Sequence, residues 1–282
     1  MMDLGQLRSF AEVAERGTIA AAAEARGYTA PAISQHVAKL EAQIKVPLFD
    51  RAGGRLQLNS AGAALLPLAL ELLDLEQVAR TTAQEWQATP HFRIAGFASA
   101  ISTLIVPRLD ELAGQLTLEI IEAEDSEAMR DLRLGHVDVV LTQEYCNTPT
   151  ERDGRLDYTS LATDQLKLVL PADMASSTTV GDLAHSAWLI NGSGTRCAQA
   201  TRHILDQAQI DPPIGASIAD NQTLLALVAA GHGVTVVPEL LLGSVRSTIA
   251  VADQDLAVQR TILAVNRKAA AKAVAPLIDR LC

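Results

Sequence analysis

Apolar residues recur at helical spacing over the first ninety positions and, from position 92, in short strand-like runs separated by helical ones. Leu4, Leu7, Phe10, Ala11 and Ala14 share one face of a first amphipathic helix. Thr18 is placed to cap a second helix, which alanines propagate and Gly27 ends. Thr29 can cap a third, with Pro31 in its first turn, where a missing N–H does no harm. On that helix Ile33, Val37, Leu40 and Ile44 step by four, three and four, which predicts a buried stripe. Pro31, Ser34, Gln35 and Ala38 then form the outward face. A short helix pair whose second member offers small, uncharged hydrogen-bonding side chains suits a DNA major groove. An ordinary helical hairpin has the same pattern, so the next stretch decides.

That stretch runs Pro47-Leu48-Phe49-Asp50-Arg51, Gly53-Gly54, Arg55-Leu56-Gln57-Leu58. Two alternating runs around a Gly-Gly pair predict a β-hairpin wing with an arginine on each arm. Asn59 or Ser60 then caps a helix from Ala61 to about Gln87, in which Leu65, Leu72 and Ala79, and Leu68, Leu75 and Thr82, repeat every seven residues. At 1.5 Å per residue it is about 40 Å long. With little of its own domain to bury against, the seam predicts pairing with a second chain; packing on its own domain is the alternative. Pro67 is expected to kink it, and Thr89-Pro90 to end it.

From Phe92 strands and helices alternate. Strands are expected at 92–97, 116–121 and 137–142, with helices at 99–113 and 126–134, which predicts parallel strands with right-handed crossovers. Further strands are expected at 166–170, 187–190, 214–218 and 261–265, and helices at 198–209, 223–230 and 269–281.

The residues of the first sixty positions resemble the LysR-type transcriptional regulators: Leu7, Phe10 and Val13, Ala22-Ala23, Ala32-Ile33-Ser34, Leu40-Glu41, Leu48-Phe49, Arg51 and Ala61-Gly62. Leu134-Gly135-His136-Val137-Asp138 and Ala230-Gly231-His232-Gly233-Val234 extend the likeness to the rest of the chain. The resemblance implies an α/β protein with an N-terminal winged helix-turn-helix, a long linker helix and a two-lobed, periplasmic-binding-protein-like effector domain. The corresponding divisions are 1–60, 61–89 and 90–282, with lobe 1 at about 90–164 and 266–282 and lobe 2 at about 165–265. It implies a non-enzymatic regulator that binds a pseudo-palindromic promoter site as a homodimer or a homotetramer and responds to a small co-inducer. Ala20, Ala21 and Ala30 depart from the pattern, standing where relatives carry polar or basic residues or a glutamine. Base reading therefore falls on Ser34, Gln35 and His36, and backbone contact on Lys39, Arg51 and Arg55; Thr29 and Pro31 complete the candidate DNA-binding set. His36 is equally well read as a solvated helix residue, and Arg51 as half of a structural ion pair.

Charge refines this picture. The whole chain carries −10, but residues 1–60 hold seven Lys/Arg against six Asp/Glu, so the acidity lies towards the C-terminus. A weakly basic DNA-binding unit depends on two copies acting together. The acidic bulk disfavours an architectural DNA-coating protein. No apolar run is long enough to span a membrane, and the start lacks the layout of a secretion signal, so a cytoplasmic location is expected. Cys146, Cys197 and Cys282 form no CxxC pair, and the histidines show no metal spacing; no cofactor is expected.

Ligands of open α/β lobes sit beyond the strand ends, beside helix N-termini. Those positions hold Ser99, Thr142-Gln143, Gly192 to Arg196 and Asn221 to Thr223. Ser99, Thr142, Ser193, Thr195 and Gln222 are the candidate effector contacts; helix caps and turns are the alternative reading. Hydroxyls, backbone N–H groups and one arginine suit a ligand bearing a carboxylate or other anion. Two other functions are compatible with the pattern: a redox-responsive regulator acting through Cys197, and an α/β enzyme with an accessory DNA-binding module. The enzyme reading has no G-x-S-x-G elbow to support it.

Overall fold

The computed structural model describes residues 2–52, 55–84, 89–146, 151–192, 194–243 and 246–282, with backbone alone at 51, 52, 55, 81, 83 and 84. Three helices open it: α1 (Leu4–Arg16), α2 (Ile19–Arg26) and α3 (Ala30–Ile44). Thr18 accepts the Ala21 N–H and Thr29 the Ala32 N–H, as their positions imply. Gly27 ends α2 at φ +63°, a conformation open to glycine at no steric cost, and so sets the tight turn into α3. Ile33 and Val37 are buried with Val13, Ala22 and Ala23, and Leu40 with Leu7 and Phe10.

The wing is an antiparallel hairpin of β1 (Phe49–Ala52) and β2 (Arg55–Leu58), with Phe49 opposite Leu58. Its Gly53-Gly54 tip lies outside the described residues. Next comes α4 (Ser60–Gln84). Asn59 is its cap, because its Oδ1 accepts the Gly62 N–H. The helix continues through Pro67, and the last expected turn, 85–87, is outside the described residues. A Cβ on Gly62 would stand 2.2 Å from the Leu48 carbonyl oxygen, so the start of α4 needs glycine to seat against the wing. Gly62→Ala should therefore destabilise the protein by about 1–3 kcal/mol through overpacking. A lowered urea midpoint would show it; an unchanged midpoint would mean the two elements separate freely.

One expectation about α4 is corrected. The helix does have a surface of its own chain to bury against. Leu66, Ala69, Leu70 and Leu73 pack on α1 and, beyond it, on Leu134. Leu65 joins that buried side, whereas Leu68, Leu72 and Leu75 stay 57 %, 43 % and 64 % exposed.

The remainder is a two-lobed α/β body. Parallel β3 (His91–Gly96), β4 (Thr117–Glu122) and β5 (Val139–Tyr145) build the first lobe. Between β3 and β4 the single helix expected at 99–113 is broken into α5 (Ala98–Ala100), a π-turn, a 3-10 turn and α6 (Leu109–Leu112). Pro107 has no N–H with which to continue a regular ladder. The helix α7 (Asp125–Arg133) crosses from β4 to β5. Then β6 (Leu156–Pro171) runs for 16 residues, three times the expected strand, because it passes from one lobe to the other. The second lobe holds β7 (Trp188–Ile190), α8 (Arg196–Gln207), β8 (Ile214–Ser217), α9 (Asn221–Ala229), β9 (Thr235–Pro238) and β10 (Ile249–Val251). Of these, β9 and β10 had no counterpart among the strands expected from the sequence. The chain returns along β11 (Gln259–Arg267), antiparallel to both β6 and β5, and closes with α10 (Ala271–Leu281) on the first lobe. The lobes keep separate cores, one around Ile94, Leu141, Ile262 and Leu277, the other around Leu168, Trp188, Ile204 and Val236. No helix among the described residues is long and apolar enough to cross a membrane.

Candidate functional site

Two surfaces carry candidate chemistry. The first is the outer face of α3. Pro31, Ser34, Gln35, Ala38 and Lys39 are exposed while the opposite stripe is buried, so polar groups project from a rigid helix. Pro31, Ala32, Ser34, Gln35 and Ala38 line a shallow open concavity. Thr29 is spent on capping α3. His36 is neither a free reader nor a merely solvated residue: its Nδ1 shares a 2.9 Å hydrogen bond with Ser9 Oγ, and its ring meets Tyr28 edge-on. The side chains of Arg51 and Arg55 lie outside the described set.

The geometry also explains how a unit of almost no net charge can face DNA. Glu12 is fully buried and Glu15 nearly so, both turned towards the two-lobed α/β body, and Glu41 accepts the Leu48 N–H at 2.7 Å. Those acids are consumed inside the molecule, while Lys39 and Lys45 stay exposed.

The second surface is a cleft of about 1420 Å³ between the lobes. Ser99, Thr142, Thr195 and Gln222 all line it, brought together from four chain segments. Ser193 lies outside the described residues. Ser99 and Thr142 are buried, Thr195 caps α8 through the Ala198 N–H, and Gln222 is exposed at the start of α9. Arg196 is no idle surface charge. Its Nε donates to Asp125 Oδ2 at 3.0 Å, tying the first residue of α8 to the first of α7 across the cleft. Burial pushes the Asp125 carboxyl above its ordinary value, with Arg196 and Thr142 pulling it the other way.

Sequence reasoning missed the floor of the cleft. Arg260 and Asp164 face each other in register on β11 and β6, joined at 2.7 Å and 1 % and 2 % exposed. Arg260 also reaches Ser99 Oγ and Gln143 Oε1, each at 3.4 Å. Nothing in the sequence paired two residues 96 positions apart, and both fell outside the strands the pattern predicts. Asn191 was missed too. It is 3 % exposed and lines the cleft; its Nδ2 donates to Asn221 Oδ1, while its own Oδ1 has no partner among the described residues. Cys197 lies buried beside the Tyr145 hydroxyl, and burial raises its pKa. Sensor cysteines are exposed, low-pKa thiols. Among the described residues no three His, Cys, Asp or Glu side chains gather as a metal site.

Comparison with known proteins agrees with this geometry. A family model described as "Bacterial regulatory helix-turn-helix protein, lysR family" matches residues 4–63, and one described as "LysR substrate binding domain" matches 87–281. The probable HTH-type transcriptional regulator LrrA of Synechococcus elongatus is 25 % identical over 93 % of this chain and 89 % of its own length. The regulator ShiR of Corynebacterium glutamicum is 29 % identical over 83 % and 82 %. Among solved structures, a full-length OxyR variant from Pseudomonas aeruginosa matches with a TM-score of 0.70 at 22 % identity, covering 100 % of this chain and 95 % of that one. Full-length CbnR complexed with its target DNA matches at 0.55 and 24 % identity, covering 99 % and 97 %. These structural likenesses show the fold, and the family models cover nearly the whole sequence. The chain belongs to the LysR family and is a LysR-type, DNA-binding transcriptional regulator with an effector-binding domain.

Proposed function

We propose that this regulator reads a pseudo-palindromic promoter site as a homodimer, that dimers pair into a homotetramer, and that a small anionic co-inducer between the lobes sets promoter occupancy. In this reading residues 1–60 bind DNA, 61–89 link and dimerise, 90–282 bind the co-inducer, and the chain performs no catalysis. The observation that carries it is the cleft, where hydroxyl and amide groups from four segments converge around the Asp125–Arg196 bridge. A ligand carboxylate can compete with Asp125 for that arginine, because burial already disfavours the charged form of Asp125. The unpartnered Asn191 Oδ1 offers an acceptor for a hydroxyl or amine on the same ligand. A co-inducer that favours one lobe arrangement shifts the population of DNA-binding states.

The test is a thermal-shift screen against small carboxylates and amino acids. A ligand at a hundred times its Kd adds about 2.7 kcal/mol of stability, so a true hit scales with concentration. Thr195→Ala combined with Gln222→Ala should abolish the shift. No dose-dependent shift across the panel, or an equal shift in the variant, would sink the cleft reading.

The DNA face makes its own prediction. After selection of a preferred duplex from a random library, Gln35→Ala should lose about 1–3 kcal/mol of discrimination at one position of the site, the worth of a bidentate base contact. Lys39→Ala should weaken all sequences alike and lower the slope of log K against log salt by about 0.9. Fluorescence anisotropy across a salt series separates the two. Equal losses on cognate and random DNA for Gln35→Ala would remove it from base reading.

A further inference from the structure

The N-terminal unit does not hang free of the effector body. Ala11 of α1, Leu70 and Leu73 of α4, and Leu134 just beyond α7 form a small apolar contact. Ion pairs ring it. Arg16 Nη2 reaches Asp131 at 2.9 Å, Arg133 Nη2 reaches Glu15 at 2.8 Å, and Arg267 Nη1 reaches Asp74 of α4 at 2.8 Å. At the centre lies Glu12, fully buried, held by Arg16 Nε at 2.8 Å and His136 Nε2 at 2.5 Å. A buried carboxylate is costly unless it is paired, and here half of its pairing comes from the other domain.

The turn that presents these groups is built for the purpose. Gly135 has φ +77°, and a Cβ there would stand 2.6 Å from the Arg267 guanidinium as it passes towards Asp74. Arg93 braces the same turn, its Nη2 donating to the Gly135 carbonyl and its backbone N–H to Asp138. Asp131 and Arg133 belong to the last turn of α7, and His136 follows after Leu134 and Gly135. The first residue of α7 is Asp125, which bridges the cleft to Arg196. One nine-residue helix, about 13 Å long, therefore touches the opposite lobe with one end and the DNA-binding unit with the other.

We propose that α7 is the coupling element of this regulator: it converts closure or opening of the cleft at Asp125–Arg196 into a change in the docking of α1, and with it the orientation of the recognition helix α3. This rests on the co-inducer reading of the cleft and adds the route by which that site is heard. The recognition face of α3 stays exposed in the docked arrangement, so the contact sets orientation and does not block DNA. Coupling of this kind is reciprocal: loosening either end must loosen the other by the same free energy.

Hydrogen–deuterium exchange on the full-length protein tests it without any ligand. Asp131→Asn and Glu15→Gln weaken the clamp directly and should raise exchange across residues 4–16. Asp125→Asn, at the far end of α7, should raise exchange in the same α1 peptide by about fivefold or more, the lower end of ordinary coupling. In return Asp131→Asn should raise exchange at the start of α8. Asn191→Ala, a cleft change on the second lobe away from α7, should leave α1 unaffected, which separates coupling from general loosening. Unchanged exchange in α1 for Asp125→Asn, or an equal rise for Asn191→Ala, would overturn the proposal. So would unchanged exchange in α1 for the two clamp variants. A dose-dependent carboxylate shift in the thermal screen would leave the co-inducer reading standing in every one of these cases.

Discussion

Replacing Arg260 by alanine is expected to lower the unfolding free energy by about 3–5 kcal/mol, the cost of leaving one member of a buried ion pair alone. Arg260 is 1 % exposed and its Nη2 lies 2.7 Å from Asp164 Oδ2. Without the guanidinium the Asp164 carboxylate keeps, among the described residues, the Leu240 N–H, at 3.3 and 3.4 Å from its two oxygens. The cleft would lose more than stability, since the same guanidinium reaches Ser99 and Gln143 and faces the Phe97 ring. Arg260→Met combined with Asp164→Leu should restore part of the loss, because apolar groups of similar volume can replace a buried pair. Urea melts followed by circular dichroism compare the three proteins. A single variant within about 1 kcal/mol of the parent would show that water reaches the pair and that the strands part readily at this point.

The second large effect is expected at the surface of α4. Leu72→Glu with Leu75→Glu should weaken self-association by about a thousandfold. Each leucine is roughly half exposed in the single chain, so its remaining burial in a two-chain seam is worth about 1 kcal/mol. Two per chain make four per dimer, and about 4 kcal/mol is three decades in affinity. Analytical ultracentrifugation reads the change directly. The variant's fold should be intact, since the buried side of α4 is carried by Leu66, Ala69, Leu70 and Leu73. If the dimer reads paired half-sites as proposed, promoter affinity should fall with it, because the two contacts then no longer act together. A variant that remains a dimer at nanomolar concentration would place the self-association surface elsewhere.

Where the chain's chemistry is local, the sequence was legible. The helix-turn-helix was readable because each of its determinants acts within four residues: Thr18 and Thr29 as caps, Gly27 as the turn, Ile33, Val37 and Leu40 as the stripe. The parallel β-α-β-α-β start of the effector body was readable for the same reason. The broken helix at 98–112 was less so, since Pro107 allows several irregular geometries and packing selects among them. The crossing strands β6 and β11 were read too short. Thr163, Asp164, Gln165 and Arg260 look like loop residues in a window of five, and only the neighbouring strand shows that they pair.

The same division runs through the sites. Sequence alone determined that polar residues would stand at strand ends and helix starts, where the family resemblance implied a cleft, and that Ser34 and Gln35 would face outward, because periodicity and capping place side chains without knowledge of distant chain. Only the tertiary structure decided what surrounds them. It paired Arg196 with Asp125, Arg260 with Asp164 and Glu12 with His136, across 71, 96 and 124 positions. It turned His36 back onto Ser9 and gave α4 a partner within its own chain. The physical reason is common to all of these. A charge or an amide is satisfied by whatever lies within about 3 Å, and that neighbour is chosen by strand register and helix docking rather than by spacing along the chain.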